Sequence, residues 1–527
     1  MRPRIQLLSP EVIGRILREA FELLMDPGVR VGSAPVVELL RSAGVEVAAG
    51  VADNDGVARI PERLVQQCLA SAPRDFYLYN RQGEKAVHYG GDDVHFDPGS
   101  CCVQMLDPET LEARPSETRD LVRIVQVTET LPQFAAQSTA VVCSDACGDS
   151  RAASAIGDLY RLFVVLQHSD KPVVTGSFSA AGLQGMIDLL AADSGSPDKL
   201  RQQPRAVFDV CPSPPLNWSE FGSRNLLDLA RAGVPAQIVS MPLAGGTAPV
   251  TLAGSVTQHA AEVLAGITLH QLAGPGSPVV WGGAPAIFDM RTGGAPMGAV
   301  ETAMLNMACA EVGKRLGLPT HGYLVATDSK LVDAQAGAES ARSAMLGALA
   351  GINMISGAGM LESLACFSVE KLVIDAESIA SAYRLARGIE VRGDEVRGDE
   401  VPSEKARGEK VPRETLATAM FAQTGLSGEF LKLKETRALF RQEQHLPSPV
   451  IDRSARGSEP ASDVFTRARI RVDELVSKYR KPTLSEDVLR KFQAIVDREA
   501  DRAGVVGTET GKNVGAATGT TLGALGG

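Results

Sequence analysis

Residues 9–49 place apolar side chains at helical spacing, with Ile16, Ala20, Leu23 and Leu24 on one face behind a Ser9-Pro10-Glu11 start. That start reads as an N-cap followed by proline at the first helical position. From Asp75 to Leu106 the pattern alternates instead, through Phe76, Leu78, Val87, Tyr89, Val94 and Phe96, with turns at Arg81-Gln82-Gly83 and Gly90-Gly91-Asp92. A period of two broken by glycine turns predicts a hairpin or meander packed on something larger, ending in FDPGS. From about residue 134 short β-rich runs alternate with amphipathic helical stretches: FAAQSTAVVC, PVVTGSF, AVFDVC, AQIVSM, PVVWGG, THGYLVA and INMISG.

Seven such βα units, with a short eighth run near Gly428 to Leu431, predict an α/β chain folded as a TIM (β/α)8 barrel. An open doubly wound sheet is the alternative, but no GxGxxG opens the first unit and the spacing is even. The predicted organisation is an N-terminal helical and β-meander extension over 1–130 that caps the barrel, the barrel over 131–480, and a C-terminal helix and tail over 481–527. Residues 388–412 carry a tandem VRGDE repeat dense in charge, and the tail from Thr510 is rich in Gly and Thr; both compositions predict solvated, disordered chain.

With 527 residues, 44% of them hydrophobic, the chain can bury a large core. The net charge of -10 is spread without a basic stripe, which speaks against nucleic-acid or anionic-membrane partners. No apolar run approaches 18 residues and the N-terminus has no apolar signal core, so the expected location is the cytoplasm. Eight cysteines among apolar neighbours suit reduced thiols, and CSDAC at 143–147 has no nearby histidine or second pair to complete a zinc site. GxxxxGK[ST], HExxH, GxSxG and the dinucleotide fingerprint are all absent from the sequence.

Particular blocks are more specific. GVRVGSAPVVELLRSAGVEV (28–47), ARIPERLVQQCLASAPRDFYLYNR (58–81), VHFDPGSCCVQMLDPETLEARPSETRDL (94–121), CPSPPLNWS (211–219), DAQAGAES (333–340) and ALAGINMISGAGMLESLACFSVEKLVID (348–375) resemble the trimethylamine methyltransferase family. The resemblance covers roughly residues 10–480 and implies an enzyme that moves a methyl group from a methylated amine to cobalt(I) of a corrinoid. Because no DxHxxG corrinoid signature is present, this chain is expected to bind no cofactor itself and to meet a corrinoid (cobalamin) on a partner protein. Assembly as a homo-oligomer is also expected.

THGYLVATDSKLVDAQAG contains only standard residues where the archaeal trimethylamine enzymes are expected to carry pyrrolysine. The sequence is therefore similar to the non-pyrrolysine branch, whose substrates are quaternary amines such as glycine betaine. Cobalt(I) displaces a neutral amine poorly, whereas a quaternary amine arrives activated. Two alternatives stay open: a barrel that binds quaternary amines without methyl transfer, and a methyltransferase for tertiary amines. A further departure is GLSGEFLKLKETRALFR, with Glu429 where the family pattern has histidine.

Active groups of such barrels lie on loops after the strands. Glu362 and Asp328 are the expected catalytic residues, with Gly357, Gly359 and Met360 expected at the corrinoid. Aromatic faces and carboxylates hold a quaternary ammonium best. Trp281, Tyr323, Phe367, Asn217, Asp333 and Gln335 are the candidate substrate-binding residues, Asp333 also fitting a plain helix cap. FDPGS, with Asp97, is expected to plug the barrel mouth, and no metal site is expected.

Overall fold

A computed structural model describes residues 3–50, 55–146, 150–178, 182–390, 416–457 and 460–503. The VRGDE repeat, Cys147 and the Gly/Thr-rich tail lie outside the described residues.

The chain is an α/β protein in which eight parallel strands fall into two sheets. We number them β1 (His95–Pro98), β2 (Gln137–Ser138), β3 (Val173–Gly176), β4 (Ala206–Val210), β5 (Ala236–Ser240), β6 (Val279–Gly283), β7 (His321–Tyr323) and β8 (Met354–Ala358). One sheet runs β6-β5-β4-β3-β2 and the other β7-β8-β1. They meet at two places: Trp281 bridges Thr320 beside β6 and β7, and Ala135 N donates to Phe96 O at 3.0 Å beside β2 and β1. Each strand is followed by a helix, α1 (Thr118–Thr130), α2 (Ser150–His168), α3 (Gly182–Ser194), α4 (Glu220–Ala232), α5 (Leu252–Ala273), α6 (Val300–Arg315), α7 (Ala334–Ala350) and α8 (Val369–Ala386).

All seven β-rich runs from residue 134 onward contain a strand. The expected eighth does not: around Gly428–Leu431 the chain makes 3-10 turns, and Glu429 is exposed and paired with Lys432. Its place beside β8 is taken by FDPGS, which is therefore a strand and not a plug. The alternation through Val94 and Phe96 already reads as β, and the tertiary pairing with β8 is what makes this run part of the parallel sheet.

The helix over Pro10–Met25 starts as expected, with the Ser9 side chain accepting from Val12 N, and buries Ile13, Ile16, Ala20 and Leu24. The alternating segment makes a hairpin, Phe76–Tyr79 against Lys85–Tyr89, before the chain leaves for β1. Its Leu78, Val87 and Tyr89 pack with Val174, Val207, Val280 and Met354 from four parallel strands and with Ala136 just before β2, so the hairpin seals the N-terminal end of the shared interior. Strand alternation then fixes what lies above that layer: residues two positions on, Ser138, Gly176, Asp209, Gly282 and Ser356, keep the inward face. Helices Val464–Lys478 and Glu486–Arg502 pack outside, on α1 and α8 and on α2 and α3 respectively.

Candidate functional site

Each of β4, β5, β7 and β8 carries a polar residue inside an otherwise apolar run, and alternation turns all of them inward. Asp209 Oδ1 accepts from Gln237 Nε2 at 2.7 Å, and Gln237 Oε1 accepts from the Tyr89 hydroxyl at 3.2 Å. Across the interior, Asp97 Oδ1 contacts Ser356 Oγ at 2.6 Å, which also meets His321 Nε2 at 3.1 Å. The Tyr323 hydroxyl donates to Ser100 O at 2.7 Å and lies close enough to feel both carboxyl groups.

Burial dominates the electrostatics. It pushes the Asp209 carboxyl up to about 7, partly opposed by the Gln237 hydrogen bond. It holds Asp97 well above the carboxylate range, with the nearby Asp209 adding to the effect. His321 is driven down to about 3 and is a neutral imidazole at physiological pH. Among the described residues no Lys, Arg or His forms an ion pair with Asp97 or Asp209. A buried carboxylate without a cation is costly, so this interior is complementary to a positively charged guest.

Of the residues expected to bind substrate, Tyr323 alone joins this cluster; Asp97, expected in a plug, joins it from β1. Trp281 faces the other way: it is 1% exposed, donates its indole N–H to Cys309 O at 2.8 Å and packs on α6 at Gly313. Val280 and Gly282 hold the inward positions of β6, which leaves Trp281 outward. Asn217 pairs as a short strand with Arg30, on the flank. Phe367 lies buried beneath Gly359, where an added Cβ would come within 2.3 Å of its ring.

The remaining candidates form a second group on the loops after β7 and β8. Asp328 accepts from Gly298 N at 3.1 Å and from Ser363 Oγ at 2.6 Å, and Glu362 N donates to Ser329 O at 3.0 Å. Asp333 caps α7, accepting from Ala336 N at 3.0 Å, while Gln335 is exposed and donates to Glu339. Glu362, Ser363 and Leu364 occupy φ of 48°, 50° and 84°, a run of non-glycine residues in the left-handed region that stores strain. Gly357 (φ 117°) and Gly359 (φ 86°) allow close approach to Ala326 and Phe367, and Met360 packs against Gly99. The buried Lys371–Asp375 pair anchors this loop, since Asp375 also accepts from Gly359 N at 2.8 Å.

Sequence reasoning missed Asp209, Gln237, His321 and Ser356. The available signal was a polar residue within the apolar runs AVFDVC, AQIVSM, THGYLVA and INMISG, each at an inward parity. Among the described residues no three His, Cys, Asp or Glu converge as metal ligands, and no helix is long and apolar enough to cross a membrane.

The fold has a solved counterpart: a hydroxylamine complex of MtmB superposes with a TM-score of 0.50 over 95% of this chain and 89% of that one, at 11% identity. Sequence relatives are closer. A trimethylamine methyltransferase, MttB2, of Methanosarcina mazei is 30% identical over 95% of this chain and 96% of its own. A trimethylamine methyltransferase of Desulfitobacterium hafniense is 29% identical, over 94% of each chain. A glycine betaine methyltransferase of Desulfitobacterium hafniense is 27% identical, over 95% of this chain and 98% of its own. The family model for trimethylamine methyltransferase matches residues 1–409, and the chain belongs to that family.

Proposed function

We propose that this protein is a methyltransferase that takes a methyl group from a cationic methylated amine, a quaternary one in the first instance, and delivers it to a corrinoid on a partner protein. The observation that carries this reading is the pair of buried carboxyl groups, Asp97 and Asp209, facing one interior without a basic partner among the described residues. A quaternary ammonium has no N–H to donate, so charge and shape must hold it, and the Asp209 carboxylate, ionised in a dry interior, provides the charge. We also read the two sheets as one (β/α)8 barrel beginning at His95 and ending at Ala386, supported by the contacts at both sheet junctions.

In this reading the hairpin excludes water from below, and Gln237 and Ser356 orient the carboxyl groups. Substrate binding requires Asp209 in its ionised form, so affinity for the cation rises as pH increases through about 7. The Asp209 carboxylate must not hold the cation too strongly, because its charge disappears as the amine departs.

The corrinoid supplies the cobalt that accepts the methyl group. The residues at the strand ends fit such a visitor: Phe178, Met241, Val250, Met290, Val300 and Leu331 are exposed apolar side chains on segments that follow β3, β5, β6 and β7. Glu362 and Asp328, on the strained turn and its neighbour, belong to the same side and would position the approaching partner; the glycines at 357 and 359, with Met360, shape the loop beside them.

The test supplies the pure protein with cob(I)alamin and a panel of quaternary amines and follows methylcobalamin spectroscopically. Turnover of at least one betaine or related cation is expected. No methylcobalamin from a broad panel overturns the proposal.

A further inference from the structure

Three side chains on neighbouring strands stand in a hydrogen-bonded row. Ser356 Oγ lies 2.6 Å from Asp97 Oδ1 and 3.1 Å from His321 Nε2. Asp97 and Ser356 are 1% exposed and His321 is 3% exposed. The other imidazole nitrogen, His321 Nδ1, is buried and has no hydrogen-bond partner among the described residues. It lies beside the Cα of Gly282, where an added Cβ would meet Ile238 O at 2.7 Å and sit 3.1 Å from both Nδ1 and Gln237 Cγ, so the chain keeps glycine there. A buried polar atom left unpaired is costly, so the free position of Nδ1 points to a guest that completes it.

The row has two polarities. When Asp97 is ionised, Ser356 donates to it and accepts from His321 Nε2–H, which leaves Nδ1 as a bare acceptor. When Asp97 is protonated, it donates to Ser356, Ser356 donates to Nε2, and the imidazole proton sits on Nδ1. The second form ends in a donor at Nδ1.

We propose that Asp97, Ser356 and His321 form a proton wire ending at His321 Nδ1, which protonates the amine nitrogen exposed by methyl transfer. The inference rests on the function proposed above. The C–N bond breaks with its electron pair remaining on nitrogen, while the methyl group goes to the partner's cobalt. That lone pair takes the proton from Nδ1; Nε2 takes the Ser356 hydroxyl proton; Ser356 takes the proton of Asp97. No proton is exchanged with solvent, and the product stands as a tertiary ammonium opposite an Asp97 carboxylate. The neutral amine would be the nucleophile of the reverse reaction, so protonating it withdraws its lone pair and makes the transfer directional.

Other titratable groups facing Asp97 are Asp209 on β4, Tyr323 on β7 and Tyr89 on the hairpin, and burial keeps both phenols protonated. Burial also keeps Asp97 able to hold its proton and His321 neutral, as the wire requires.

The experiment uses two probes, tetramethylammonium and trimethylammonium, titrated calorimetrically into the full-length protein in buffers of different ionisation enthalpy. Trimethylammonium donates N–H to Nδ1, which demands the polarity with Asp97 ionised; tetramethylammonium makes no such demand. Ionisation of Asp209 accompanies either cation and cancels in the difference. The expected result is about one extra proton released per site with trimethylammonium, by linkage. The difference persists in Ser356→Thr and vanishes in Ser356→Ala and in His321→Phe. Equal proton release by both probes in the wild type, or a difference that survives Ser356→Ala, overturns the wire. If the wild type produces methylcobalamin yet shows no difference, the wire alone falls; if neither probe binds, the cation site falls and the wire with it.

Discussion

Replacing Asp209 with asparagine separates what its carboxylate does for binding from what it costs the fold. Asparagine keeps an oxygen in place of Asp209 Oδ1, the acceptor that receives Gln237 Nε2 at 2.7 Å. Burial raises this carboxyl from 3.8 to about 7. That is about 3 units, or about 4 kcal/mol at 1.36 kcal/mol per unit. Well below 3.8 the carboxyl is protonated in folded and unfolded chains alike and exacts no penalty. As pH rises the unfolded chain ionises first, so the folded state loses stability until the pH passes about 7, beyond which the loss is constant. Asp209→Asn should therefore be about as stable as wild type near pH 4 and more stable at pH 8, by up to about 4 kcal/mol. Cation affinity should move the other way: a charge ~5 Å from the carboxylate at an effective dielectric of ~20 is worth ~3 kcal/mol, about a hundredfold. Denaturant melts at both pH values and a tetramethylammonium titration at pH 8 measure the two effects. A stability gap that does not change with pH, or undiminished affinity, refutes the reasoning.

Trp281→Phe removes the indole donor to Cys309 O and some packing against α6, costing about 1–3 kcal/mol. Because Trp281 faces away from the interior, cation affinity should be unchanged; a tenfold loss by titration would contradict its placement. Gly282→Ala puts a methyl 2.7 Å from Ile238 O and against His321 and Gln237. We expect about 1–3 kcal/mol of overpacking in thermal melts and at least tenfold weaker cation binding. Lys371→Met strands Asp375 in a fully buried site and should cost about 3–5 kcal/mol, while the double change Lys371→Met with Asp375→Leu should recover much of it. Denaturant midpoints that rank the double variant below the single one would refute this view of the pair.

The parallel strands from residue 134 onward were legible because both faces of such strands are buried, giving continuous apolar runs between helices. The strand at 95–98 was legible as the last alternating run of the meander but not as a member of the parallel sheet, because Pro98 and Gly99 mark a turn to any local reading, and its partner, Met354–Ala358, is more than 250 residues away. The same limit displaced the eighth strand to Gly428–Leu431. Loop candidates such as Asp328 and Glu362 were found by following strand ends, and they do lie together. Asp209, Gln237, His321 and Ser356 were passed over because they sit within strands, where each reads as an interruption of apolar sequence. Their meaning comes from parity: alternation sends Trp281 outward and Gly282 inward, a one-residue difference that composition cannot reveal.

The central claim is that the interior between Asp97 and Asp209 holds the cation. A crystal structure with tetramethylarsonium, located by the anomalous signal of arsenic, tests it most directly. Arsenic is expected within the ring formed by Asp97, Asp209, Gln237, His321 and Tyr323, with loss of that site in Asp209→Asn. Arsenic bound instead at the outer group of Asp328 and Glu362, with the interior free of it, would contradict the account.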